Sequence, residues 1–252
     1  MIKGLFTAAA SMKAASENLD VITNNLSNSE TVGFKREEGV KRSFPELMMS
    51  HLESDKPARE IGSLGTGVKL DGTYADFRNG DFRYTEGDLD FALDGDGFFA
   101  VQTPDEVLYT RAGNFTLNED GQLVTQQGYQ VLGENGQPLE QVTGEEINID
   151  GQGEIHSGLE GADRLQIVGF DDSNLLAHRG ENLYETGDAR QLDERPDDVQ
   201  VKQFYLEESN VNIVKEMSNM IEKNRLYEAN QKMITSMDET LGQAVTEIAR
   251  LN

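Results

Sequence analysis

The chain has 252 residues, no cysteine, no tryptophan, 37% hydrophobic residues and a formal net charge of −24; that is enough apolar material for at least one packed core, in one large domain or two small ones. The absence of cysteine excludes a disulfide framework, thiolate zinc sites and thiol nucleophiles. The charge is uneven, at +1 over residues 1–42, −2 over 43–83, −21 over 84–201 and −2 over 202–252, with no lysine between Lys69 and Lys202. The middle would therefore be repelled by phosphate, which argues against nucleic acid as a partner; the acid is read as a solvated surface that keeps the protein soluble.

Residues 2–27 read as a helix, because Ala, Met and Leu dominate and neither Gly nor Pro occurs after Gly4. Leu5, Ala8, Met12, Ala15, Leu19, Ile22 and Leu26 step by 3 and 4 and form one apolar row that needs a partner. Asn24, Asn25, Asn28 and Ser29 then offer side-chain bonds that compete with the helix, and Gly33 permits a turn at positive φ. The expected end is near Asn28. Lys13, Glu17 and Asp20 break the apolar character of this segment, so any export is expected to proceed without an ordinary cleaved signal peptide. No stretch reaches the roughly 18 apolar residues of a membrane span.

Residues 31–75 read as an extended connector with one short helical turn around Pro45 to Leu52, since Pro45, Pro57, Gly62, Gly65 and Gly67 interrupt anything longer. Residues 76–206 read as a mainly antiparallel β body. Its short apolar runs are Phe91–Leu93, Phe98–Val101, Phe115–Leu117, Gln130–Leu132, Ile147–Ile149, Leu165–Phe170 and Val199–Leu206, separated by hairpin signals at Asp94-Gly95, Asp120-Gly121, Asn135-Gly136 and Asp150-Gly151.

Ser209, Asn210 and Asn212 are N-cap candidates for a C-terminal helix of about 37 residues, some 55 Å long. Ile213, Met220, Tyr227, Ile234, Leu241 and Ile248 recur every seven residues, the period of a coiled-coil seam. The second seam is read as Met217, Asn224, Gln231, Asp238 and Val245, and the outer face as carrying Glu228–Lys232 and Glu222–Arg225 pairs at helical spacing. The fold class expected is α+β: long N- and C-terminal helices pairing as a coiled-coil-like domain (1–30 with 207–252), with the β body inserted between them. Whether the helices pair only within one monomer or also between subunits stays open at this stage.

Little supports catalysis. Reading Asp94-Gly95-Asp96-Gly97 as a calcium loop would put Ala92 first and Thr103 twelfth, where carboxylates are needed, and reading Asn118–Gly121 that way puts Thr116 and Gln127 there. His51, His156 and His178 form no pair at metal-ligand spacing. There is no nucleophile elbow and no phosphate-binding loop, so no cofactor, metal or small-molecule substrate is expected.

Three separated segments resemble the bacterial flagellar rod and hook protein family, most closely its basal-body rod members. They are Thr23–Lys35 (TNNLSNSETVGFK), Leu89–Gly133 (with LDFALDGDGFFAV and YTRAGNFTLNEDGQLVTQQGYQVLG) and Glu208–Asp238 (ESNVNIVKEMSNMIEKNRLYEANQKMITSMD). Thr23 and Ser27 stand where the family usually has alanines. The resemblance implies a non-enzymatic subunit of the flagellar basal body that transmits torque, with paired terminal helices in the inner core of a helical assembly. It further implies partners among copies of itself and other rod or hook subunits, and passage through the flagellar type III export apparatus. The assembly-interface residues it suggests are Leu5, Met12, Leu19, Ile22, Asn24, Asn25, Leu26, Asn28, Gly33 and Phe34 at the N-terminal end. At the C-terminal end they are Ile213, Met217, Met220, Ile221, Tyr227, Glu228, Asn230, Ile234 and Leu241. A secreted adhesin or binding module with a helical stalk and an acidic β head is the alternative; a carbohydrate-processing enzyme would need a carboxylate pair in a cleft.

Overall fold

A computed structural model describes residues 2–43, 47–51, 59–65, 67–139, 148–156, 163–187 and 199–250. The chain divides into two compact units, one of Met1–Leu26, Glu38–Thr73 and Ile213–Asn252, the other of Ser27–Glu37 and Tyr74–Asn212.

The first unit is built on helix α1, Ile2–Ser27, and helix α2, Ile213–Arg250, which pack together. Two contacts give the direction of the pairing. Gly4 lies over Met237, close enough that a Cβ would stand 2.8 Å from the Met237 Cε, and Asn230 Nδ2 donates to Ser11 Oγ at 3.1 Å. Moving up α1 from residue 4 to 11 therefore moves down α2 from 237 to 230, so the helices run antiparallel. The expected α1 row faces inward: Ala8, Ala15 and Ile22 are buried, and Leu5, Met12, Leu19 and Leu26 half-buried. Most of two paired strands, Glu37–Ser43 and Val68–Ala75, belongs to this unit, with Gly39 set against Leu70 and against Asn18 of α1.

Three local expectations are corrected here. Leu47–His51 is not a helical turn but a strand, paired antiparallel with Arg59–Leu64; Pro45, Glu46 and Leu52 lie outside the described residues. The second seam of α2 is the row one residue earlier: Glu216 is buried and Lys223, Asn230, Met237 and Ala244 are half-buried, whereas Met217, Asn224, Gln231, Asp238 and Val245 are all exposed. Glu222 pairs with its neighbour Lys223, Nζ to Oε1 2.6 Å, and among the described residues no ion pair joins Glu222 to Arg225 or Glu228 to Lys232.

The second unit is the β body. An eight-stranded antiparallel sheet runs in the order Ala177–Gly180, Leu183–Glu185, Val107–Thr110, Phe98–Gln102, Gln130–Val131, Leu123–Val124, Thr116–Leu117, with Ile167–Val168 also pairing on Phe98–Gln102. The strand Phe98–Gln102 explains why its sequence is apolar without a break. Successive side chains point to opposite faces, so Phe99 and Val101 enter one core with Phe91, Leu108 and Leu183, while Phe98 and Ala100 enter another with Tyr109, Phe170 and Tyr184.

The turns at Asp120-Gly121 and Asp150-Gly151 each join two strands that pair with each other, as expected, and Asn135-Gly136 lies within the turn closed by the Leu132–Pro138 bridge. Asp94-Gly95 does not close a hairpin: Phe91–Asp94 pairs with Gln200–Gln203 and Phe98–Gln102 with Val107–Thr110. The segment 95–97 thus carries the chain from one sheet to another, a role that an Asx-Gly step serves equally well because Gly95 takes φ 121°.

Candidate assembly interface

The helical unit presents apolar groups that its own packing does not cover. On α2, Val214 is 75% exposed, Met217 52% and Ile221 53%, and on α1 Phe6 is 68% exposed. Of the heptad row, Met220, Ile234 and Leu241 are half-buried, Ile213 and Tyr227 are exposed, and the side chain of Ile248 lies outside the described residues. Surfaces of this kind mark interaction sites. Charge agrees with that: the helical unit holds 12 basic against 14 acidic residues, and the body 10 against 32, so nearly all of the self-repulsion between copies resides in the body. The candidate asparagines differ in their settings: Asn25 is buried at 1%, Asn24 is exposed, and Asn28, past the end of α1, accepts from the backbone N of Thr31 at 3.2 Å through its carbonyl.

Within the body, the segment that follows α1 and the segment that precedes α2 are tied to each other. Gly33 turns at φ 68°; a Cβ there would stand 2.5 Å from the Arg111 carbonyl carbon and would also strike the Ala112 nitrogen, so only glycine fits. Its N–H donates to the Glu207 carbonyl at 2.8 Å, and Phe34 next to it is 2% exposed. Asn210, expected as a helix cap, does something else. Its Oδ1 accepts from Arg36 N at 2.8 Å, and its Nδ2 donates to the carbonyls of Asp76 and Arg78 at 2.7 and 3.0 Å. Asn182 Nδ2 donates to the Val32 carbonyl at 3.1 Å.

At the centre of this knot lies a buried charge cluster that the sequence did not reveal. Lys35, Arg111 and Glu207 are each at most 1% exposed. Lys35 Nζ donates to Glu207 Oε1 at 2.6 Å and to the Arg78 carbonyl at 3.0 Å, and Gly80 N donates to the same Oε1 at 2.9 Å. Arg111 Nη1 stands 3.7 Å from Glu207 Oε2, and the guanidinium sits 4.8 Å from the centre of the Phe98 ring, within cation–π range. Two cations thus share one carboxylate. Burial pulls the Lys35 ammonium down to about 8, against the attraction of Glu207, and burial also lowers the Arg111 guanidinium. Among the described residues no group of three or more His, Asp or Glu could hold a metal ion. What the cluster does is fix the two chain crossings at one point, between residues 172 positions apart. Its members come from all three resembling segments or their edges: Lys35 closes the first, Arg111 lies in the second, and Glu207 directly precedes the third.

Comparison with known proteins gives three family matches in chain order: flagella basal body rod protein over residues 5–35, the flagellar hook protein FlgE/F/G D1 domain over 92–157, and flagellar basal body rod FlgEFG protein C-terminal over 202–247. Among similar relatives, the flagellar basal-body rod protein FlgG of Buchnera aphidicola from Schizaphis graminum is 34% identical, covering 96% of this chain and 98% of its own. The flagellar hook-basal body complex protein FlhO of Bacillus subtilis is 32% identical, and the flagellar basal-body rod protein FlgF of Caulobacter vibrioides 34%, each covering 100% of both chains.

Proposed function

The chain belongs to the flagellar basal-body rod protein family and is a structural subunit of that rod, and we propose that it enters the axial structure by packing its two terminal helices against those of neighbouring subunits. The observation that carries the proposal is the contrast within the chain: a helical unit of near-zero net charge that leaves Phe6, Val214, Met217 and Ile221 exposed, and a body that holds the acid. In this reading the helices form the inner assembly domain and the β body, residues 76–206, faces outward. Residues 31–75 connect them, and Leu5, Met12, Leu19, Ile22 and Leu26 with Met220, Ile234 and Leu241 hold the helices in register. Asn24, Asn28, Tyr227, Glu228 and the partly exposed edge of Asn230 make the lateral contacts. Partners are copies of the chain and other rod or hook subunits. Heterologous contacts that do not close generate a helical filament, which is the geometry of a rod.

Export through the flagellar type III apparatus without a cleaved signal, and the absence of enzymatic activity, complete the proposal; family membership and the amphipathic character of residues 2–27 support them. The adhesin alternative finds no support in the relatives, which are named for the flagellar rod or the hook–basal body. Immunoblotting of purified hook–basal bodies from the source cells is the test. The chain should be retained in them at its full length, and its recovery only from soluble fractions would overturn the proposal.

A further inference from the structure

The buried knot of the β body is short of negative charge. Among the described residues, Glu207 is the one carboxylate within ion-pair distance of Lys35 and Arg111; Asp76 and Asp96 act on these cations from farther away. Arg111 Nε and Nη2 are buried with no hydrogen-bond partner among the described residues. A second carboxylate beside Arg111 would balance the cluster. The side-chain amide of Asn79 stands in the right place to become one, since its Oδ1 accepts from Arg111 Nη1 at 3.4 Å.

Asn79 is followed by Gly80, and the knot addresses both reacting ends of that step. Gly80 N donates to Glu207 Oε1 at 2.9 Å, within the reach a general base needs to take the proton. Arg111 faces the amide oxygen, where negative charge collects when the amide carbon is attacked. A Cβ on Gly80 would stand 1.9 Å from the Glu208 carbonyl oxygen, so the close backbone approach demands glycine, and glycine leaves its own nitrogen least shielded. Asn79 is exposed, and with Gly80, Ser209 and Asn210 it lines an open cleft of about 390 Å³, which gives water a way in and ammonia a way out.

We propose that Asn79 of the folded chain converts to a carboxylate by cyclising with Gly80, with Glu207 as the base and Arg111 facing the oxyanion. Glu207 Oε1 takes the Gly80 amide proton as the bond between Gly80 N and Asn79 Cγ forms. The tetrahedral carbon then loses Nδ2, which leaves as ammonia with the proton that Glu207 returns. Water opens the resulting succinimide at either carbonyl, the ring nitrogen recovering a proton, and leaves aspartate or isoaspartate at position 79. One water is consumed and one ammonia released. The new carboxylate stands against Arg111 and supplies the second counter-charge of the knot.

The chain contains its own reference. Its other Asn-Gly step is Asn135-Gly136, where Gly136 N donates to the Gly133 carbonyl at 2.8 Å, an acceptor that does not take the proton. The full chain is incubated in water labelled with heavy oxygen, once folded and once in urea, and peptide mapping by mass spectrometry follows both asparagines. In the folded chain Asn79 should take up label severalfold faster than Asn135; in urea the two should convert at like rates. Lys35→Met removes the donor that holds Glu207 Oε1 at 2.6 Å, leaving a stronger base, and should quicken conversion at Asn79 but not at Asn135. Asn79→Asp should raise the urea midpoint above that of wild type. Folded chain in which Asn79 converts no faster than Asn135, or more slowly than it does in urea, overturns the assisted cyclisation. An Asn79→Asp chain no more stable than wild type overturns the role assigned to the product.

Discussion

Replacing Glu207 by glutamine keeps the shape of the side chain but removes the one carboxylate that faces two buried cations. Lys35 Nζ at 2.6 Å and Arg111 Nη1 at 3.7 Å would then share a site that is essentially closed to water with no counter-charge between them. Removing one partner of a buried ion pair costs about 3–5 kcal/mol, because the charge left behind is uncompensated, and here two are left. Lys35→Met is the informative comparison. It loses the 2.6 Å bond but leaves Arg111 and Glu207 as a balanced pair, with Gly80 N still donating to the carboxylate, so it should cost about 1–3 kcal/mol, in the range of a broken charged hydrogen bond. Urea unfolding of the full chain followed by tyrosine fluorescence reads both, since the chain has no tryptophan and Tyr109 and Tyr184 are buried in the body. The reasoning fails if Lys35→Met is as costly as Glu207→Gln, or if Glu207→Gln shifts stability by less than about 1 kcal/mol.

The same cluster sets a pH signature. Lys35 titrates near 8 in the folded chain against 10.5 as a model side chain, so the unfolded chain holds more protons between those values and stability should rise with pH from about 8 to 10, by up to about 3 kcal/mol. Lys35→Met should remove that rise, as pH-dependent urea midpoints will report. Above pH 10 the trend reverses, because burial holds the Tyr184 phenol well above its ordinary value and the stability it contributes is lost once it ionises. Gly33→Ala should destabilise the body by more than about 2 kcal/mol, since it adds left-handed backbone strain to a collision with the backbone at Arg111 and Ala112; a thermal midpoint equal to wild type would show that the turn can relax. Assembly of the full chain should strengthen when ionic strength rises from 0.01 to 0.15 M, because the screening length falls from about 30 to 8 Å and the acidic bodies repel each other less; light scattering that falls with salt would place the dominant charges elsewhere.

Both helices were legible because their signals are local. Residues 5–27 contain neither Gly nor Pro, and Asn212 stands immediately before Ile213, where α2 begins. The β character of the body was legible for the same reason, from short apolar runs between Asx-Gly steps. What could not be read was anything joining distant segments. Lys35, Arg111 and Glu207 are residue types almost always found at the surface, and no periodicity links positions 172 apart. The inward row of α2 was placed one residue late because heptad spacing alone put the second seam four residues after the first, whereas the buried flank is held by Glu216, Lys223 and Asn230, polar residues that spacing does not single out, with Asn230 bonded to Ser11 of α1. That polar row restricts which registers of the helix pair are tolerated and leaves Met217 free for a neighbour.

The central claim is that the near-neutral helical unit drives assembly and the acidic body does not. Sedimentation velocity and electron microscopy of the full chain beside a chain ending at Asn212 test it most directly, since that truncation removes α2 while keeping Glu207 and Asn210 and hence the knot at the root of the body. The full chain should form concentration-dependent filaments and the truncated chain should stay monomeric with its body still folded. Filaments of equal length from the truncated chain would contradict the account.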